Sequence, residues 1–232
     1  MHPIIFDNQL MLAIKSRKFS KQICPKMIKL ANGTHKLLFS GELKQKNFIK
    51  KNKCRTKIYT STIINGIDLI LDSKELICCF NNLSSNRVMA PDVIYVNNRY
   101  YMFFEGRVDN QMESIFQAIS NDFINWDINE VPIMHSKDIG YGTPFCIYNE
   151  KEKLFYLYHH KRTDNSYDIW CAFSKDISFS DYNMSDRPVI EQDQTYSNYA
   201  VYSPFIIKEY NKWHMYYAGW GGSNNSGKIF YA

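Results

Sequence analysis

Four stretches of the chain share one rhythm of hydrophobic and polar positions: a proline, a short apolar run, a polar turn, and an aromatic run. They read CPKMIKLANGTHKLLFSGE from Cys24, APDVIYVNNRYYMFFEGR from Ala90, TPFCIYNEKEKLFYLYHHK from Thr143, and SPFIIKEYNKWHMYYAGW from Ser203. The prolines Pro25, Pro91, Pro144 and Pro204 are 66, 53 and 60 residues apart. The last aromatic of the second run lies 14, 13, 14 and 13 residues beyond its proline, at Phe39, Phe104, Tyr158 and Tyr217. A third run then opens with isoleucine and an aromatic: Ile58-Tyr59, Ile115-Phe116, Ile169-Trp170 and Ile229-Phe230. Each copy is therefore predicted as strand, turn, strand, variable loop, strand, with room for a fourth strand before the next proline. Asn32-Gly33, Asn97-Asn98 and Asn149-Glu150 sit where a hairpin turn is needed. Proline at a strand start is tolerated because its missing N–H leaves no ladder bond unmade.

A four-stranded antiparallel unit recurring at about 50 residues is the pattern of a β-propeller blade. The expected fold class is all-β: one domain over residues 1–232 with three blades and a partial fourth. The last copy stops at Ala232 inside its third strand, so the propeller is read as incomplete at its C-terminal end. The apolar stretch Gln9 to Ile14 is expected to be an entry strand that completes the closing blade.

Composition supports strands. Hydrophobic residues make up 45% and aromatics 16%, enough for a sizeable core, and 17 tyrosines with 15 phenylalanines suit pleated surfaces. The net charge of +5 is mild. Part of it falls in the run from Lys44 to Lys57, which suits a solvated loop and could also meet phosphate or an acidic polysaccharide. The six cysteines show no CxxC pair and no companion histidine spacing, so neither a metal site nor a cofactor is expected. With no secretory leader pattern and no stretch of roughly 18 apolar residues, the expected setting is reducing and cytoplasmic, without a membrane partner. Nucleic acid is not an expected partner either, since basic and aromatic residues are not interleaved on one face. The glycines of AGWGGSNNSGK fail the phosphate-loop spacing, and there is no GxSxG elbow.

The proline-led first strands, the NRYYMFFEG second strand and the IFQAISNDFINW third strand resemble the five-bladed propeller glycosidases. Glycoside hydrolase family 43 is the nearest pattern, with families 32, 62, 68 and 130 as relatives. The resemblance spans residues 20 to 232 and implies a five-bladed-type propeller acting on an oligosaccharide, a polysaccharide or a small glycoside. It also implies acids immediately before the inner-strand prolines. Here those positions are Cys24, Ala90, Thr143 and Ser203, so the family's acid triad has no counterpart in this chain.

A site is expected where the inner strand begins and the second strand returns. That rim gathers Ser40 to Glu42, Glu105 to Arg107, His159 to Lys161 and Ala218 to Trp220, joined by Tyr141 and Tyr202 just upstream of their prolines. Hydrolysis of a glycosidic bond uses two carboxyl groups, and Glu105 and Asp92 are the catalytic candidates. Arg107, His159 and Glu42 are expected to bind hydroxyls, and Tyr141, Tyr202 and Trp220 to stack on sugar faces. His159 and His160 point to opposite faces of one strand, so at most one enters the pocket. A propeller that binds sugar or acts as a scaffold without catalysis is the competing expectation.

Overall fold

The computed structural model describes residues 19–43, 54–64, 68–72, 74–80, 86–107, 111–193, 197–210, 212–221 and 226–232. The basic run at 44–53 and the apolar stretch at 9–14 lie outside them. Every element among the described residues is a strand. The first sheet holds β1 (Phe19–Lys29), β2 (His35–Leu43), β3 (Thr56–Ile64) and β4 (Asp68–Leu71). The second holds β5 (Arg87–Val96), β6 (Arg99–Arg107), β7 (Ser114–Ser120) and β8 (Asp127–Ile128). The third holds β9 (Gly140–Asn149), β10 (Leu154–Arg162), β11 (Tyr167–Ser174) and β12 (Asn183–Met184). The fourth holds β13 (Ala200–Glu209), β14 (Lys212–Gly221) and β15 (Ser226–Tyr231). Each is an antiparallel meander, and a single parallel pairing of Thr56 with Arg87 joins the first two.

The sheets stack through apolar side chains. Leu38 and Ile58 of the first sheet meet Val88, Met102 and Phe104 of the second. Phe103 and Ile115 of the second meet Cys146 and Leu157 of the third. Phe145 and Ile169 of the third meet Val201 and Ile206 of the fourth. The repeat isoleucine that opens each third strand records this stacking. Ile58, Ile115 and Ile169 are wholly buried, whereas Ile229 of the fourth sheet is 81% exposed. Ile115→Ala is therefore expected to lower the unfolding free energy by about 2–5 kcal/mol, and Ile229→Ala by no more than about 0.5 kcal/mol. Urea unfolding of the two variants checks the contrast.

The repeated proline marks a backbone irregularity that composition does not show. Cys24, Ala90, Thr143 and Ser203, the residues just before the prolines, all lie in the left-handed region, with φ of 53°, 51°, 45° and 51°. Such a φ is uncommon outside glycine and costs on the order of 1 kcal/mol at each position. At each one the register shifts, so that two inner-strand residues face one on the partner strand. This is the geometry of a β-bulge, which bends a strand and re-aims the side chains beside it.

The same register corrects the repeat alignment. The residue opposite each bulge is Phe39, Phe104, His159 and Tyr217. These pair onward with Tyr59, Phe116, Trp170 and Phe230. In the third copy the last aromatic, Tyr158, thus falls one residue short, and His159 takes the place of a buried aromatic. The cause is turn length: β9 and β10 close through 150–153, whereas β5 and β6 close through 97–98. The rim position of the third copy, equivalent to Ser40, Glu105 and Ala218, is consequently His160.

A disulfide joins Cys54, just before β3, to Cys79, beyond β4. The cysteine spacing gave no sign of this pairing, and a reducing compartment would hold the two as thiols.

Candidate functional site

The four bulges bring the inner strands together in two tiers. In the lower tier are the residues that follow each proline: Lys26, Asp92, Phe145 and Phe205. Lys26 Nζ lies 2.6 Å from Asp92 Oδ1, 3.4 Å from the centre of the Phe145 ring, and 5.0 Å from that of Phe205. The two phenylalanine rings meet edge to face at 5.4 Å. Asp92 Oδ2 accepts the Cys146 N–H at 2.6 Å. Asp92, 2% exposed, thus ties the inner strands of the first three sheets into one buried knot. Burial pulls the Lys26 ammonium below its usual value, and the neighbouring Asp92 carboxylate opposes that pull.

In the upper tier Ala90, Thr143 and Ser203, three of the four left-handed residues, turn the N–H toward a side chain of an earlier strand. Ala90 N–H donates to Ser40 Oγ at 2.9 Å, and Thr143 N–H donates to Glu105 Oε2 at 3.2 Å. Ser203 N–H donates to Thr143 Oγ1 at 3.0 Å, and that oxygen lies 2.9 Å from His160 Nδ1. Ser40 and Glu105, each opposite a strand start in its own sheet, therefore cap the strained backbone of the next, and between the third and fourth sheets the Thr143 hydroxyl, held by His160, does so.

Around Thr143 the caps become a polar cluster. The Glu105 carboxylate and the His160 ring both press on the Cα of Gly142, where a β-carbon would overlap them. His160 Nε2 lies 3.4 Å from Glu113 Oε1. Arg162 donates from Nε to Glu113 Oε1 at 3.0 Å and from a second nitrogen to Oε2. Tyr167 lies over the His160 ring at 4.6 Å, with Tyr202 a further 6.0 Å away. Glu113 faces Nε2 as an acceptor, which assigns the ring proton to that nitrogen. Nδ1 then accepts from the Thr143 hydroxyl, whose oxygen receives the Ser203 N–H.

The two carboxyls differ in charge preference. Burial raises Glu105 above the usual carboxylate value, although the Thr143 N–H and the Arg107 charge oppose it. Burial also pushes Glu113 upward, but its bonds to His160 and Arg162 outweigh that and hold it at about 2. One carboxyl is thus biased toward keeping its proton and its neighbour toward losing it, the pattern from which acid and base roles are read. Cys24, before the first proline, feels the Glu105 charge, yet burial is the larger cause that pushes its thiol up to about 12.

The sequence-selected residues fall into different places. Glu105 stands in the cluster with Tyr202 beside it, and Asp92 stands in the lower knot. His159 is fully buried against Tyr141, with ring centres 5.6 Å apart. Its Nδ1 meets the His160 carbonyl at 2.9 Å, its Nε2 has no partner among the described residues, and burial drops it to about 4. Arg107 lines a cleft beside Arg162. Glu42 pairs across to Lys21 and Thr56 at the end of the first sheet, and Trp220 pairs with Ala200 and Gly227 at the end of the fourth. The sequence reading placed both histidines on the rim and chose His159 as the binding group, and it did not select Glu113 or Tyr167. Glu113 and Tyr167 each lie two residues before a repeat isoleucine, where the third strand leaves the rim, and that spacing was the available signal.

No protein-family model and no curated protein matches the chain by sequence. Solved structures do match in fold. A thermostable family-43 glycoside hydrolase superposes with a TM-score of 0.71 and 17% identity, over 94% of this chain and 70% of that one. The β-1,2-mannobiose phosphorylase of Listeria innocua gives 0.68 and 17%, over 90% and 70%. An N-acetylgalactosamine deacetylase from F. plautii, solved with blood group B trisaccharide, gives 0.66 and 10%, over 90% and 71%. The chain thus has the fold of the five-bladed propeller glycosidases, as its proline-led repeats imply.

Proposed function

We propose that this chain is a carbohydrate-active propeller whose site is the upper-tier cluster, with Glu105 as proton donor toward a glycosidic oxygen. The observation that supports it is the pair of buried carboxyls on either side of His160, biased toward opposite protonation states. Glu113 acts through His160 as a positioning residue, holding the ring tautomer that orders Thr143 and the mouth. Tyr167 and Tyr202 supply aromatic surface for the sugar. We also infer that the four sheets are consecutive blades of a five-bladed propeller.

A second reading, sugar binding without hydrolysis, is favoured by the non-acidic residues before all four prolines. It is favoured too by the parallel between Glu105 and Ser40, which both cap the next sheet's backbone. Hydrolysis of a panel of oligosaccharides and aryl glycosides separates the two. Turnover that falls about 100-fold or more in Glu105→Gln, with the far-ultraviolet spectrum unchanged, supports the proton-donor role. Turnover unaffected by that substitution sinks it, and binding without turnover selects the second reading.

A further inference from the structure

Beside the cluster, on the outer side of Arg162, lies a cleft of about 350 Å³ lined by Arg107, Gln111, His135, Ser136, Lys137 and Arg162. Two arginines, a lysine and a histidine converge there, and among the described residues no carboxylate lines its wall. Glu113 is buried beside Arg162 and engaged by that arginine and by His160. Among the described residues neither Arg107 nor Lys137 forms an ion pair. Arg107 is also in direct register with Arg87 on the adjacent strand. Like charges directly opposite on a sheet destabilise it. Cations gathered in a concave wall focus a positive field that an anion would relieve.

From this we infer that the cleft is a subsite for an oxyanion carried by the saccharide, a carboxylate or a sulfate ester, so that the substrate class is an acidic rather than a neutral sugar. The inference rests on the carbohydrate reading of the cluster and adds the charge of the ligand. Arg162 connects the two places, since its guanidinium binds Glu113 and also lines the cleft. Arginine forks match the paired oxygens of carboxylates and sulfates. Lys137 is exposed at the cleft edge, where it adds a mobile point charge. Gln111 and Ser136 offer neutral donors between them.

The test is calorimetric titration with matched pairs: a uronic-acid oligosaccharide against its carboxyl-reduced form, and a sulfated oligosaccharide against its desulfated form. Inorganic phosphate is titrated alongside. The expected result is that at least one acidic sugar binds tighter than its neutral partner by about tenfold or more. That preference weakens with added salt and is lost in Arg107→Gln and in Lys137→Gln. Lys137→Gln changes an exposed residue and keeps the test valid if the arginine variant folds poorly. Which pair shows the preference identifies the oxyanion. Equal binding of acidic and neutral sugars overturns the inference while leaving the carbohydrate reading in place. Binding of phosphate without a preference between the sugars also overturns it. Binding of no sugar at all removes both.

Discussion

Asp92→Ala is expected to lower the unfolding free energy by about 3–5 kcal/mol, because it strands the Lys26 ammonium in a buried site. Lys26 would keep only the faces of Phe145 and Phe205, at 3.4 and 5.0 Å, and such cation–π contacts contribute about 2 kcal/mol at most. The Cys146 N–H, which donates to Asp92 Oδ2, would lose its acceptor as well. The double variant Lys26→Met/Asp92→Leu removes both charges, so most of the lost stability should return even though the Cys146 N–H stays unpaired. Urea midpoints for the single and double variants check this. A purely catalytic Asp92 would instead give an Ala variant of unchanged stability and reduced turnover.

The second large effect concerns acid. His159 has a folded-state value of about 4 against the usual 6.5, so it is held neutral. Its contribution to stability is complete above about pH 6.5 and is lost as the pH falls toward 4, a change of about 3 kcal/mol. Glu113, held at about 2 against 4.5, contributes fully above pH 4.5 and loses its share between there and 2. Glu105 has the opposite sign. Its raised value favours the folded state below the usual carboxylate range, and that gain is lost as the pH rises through its folded value. His159→Phe places the side chain found at the equivalent positions Phe39 and Phe104 and removes the imidazole titration. Unfolding free energy measured from pH 7 to 4 should fall less steeply in this variant than in the wild type, by about 3 kcal/mol over the interval. An unchanged slope would show that His159 is not buried as a neutral ring.

The proline rhythm makes the meanders legible because a proline at a strand start constrains the ladder locally. The aromatic runs are legible because they alternate onto packed faces. The bulge is not legible, since four different residue types adopt it and none is glycine; the backbone is held by caps from another sheet, which lie 38 to 60 residues away in sequence. The third copy shows the cost of matching by residue type. Tyr158 is aromatic and His159 is not, yet the longer turn places His159 in the aromatic slot. Alternation puts the two histidines on opposite faces, with His160 beside Glu105 and His159 against Tyr141. Glu113 escaped notice because it lies in a loop that varies between copies, and its partners Arg162 and His160 come from the neighbouring sheet. The Cys54–Cys79 bond is equally non-local, joining residues 25 apart across a sheet edge.

The proposed function places a saccharide at the mouth formed by the bulges of the third and fourth sheets. Amide hydrogen exchange with and without a saturating bound oligosaccharide tests it most directly. Slowed exchange is expected at residues 140–145 and 200–205, where the Thr143 and Ser203 N–H groups depend on Glu105 and on Thr143 itself. Slowing confined to the outer strands β8 and β12, with the mouth amides unchanged, would contradict it.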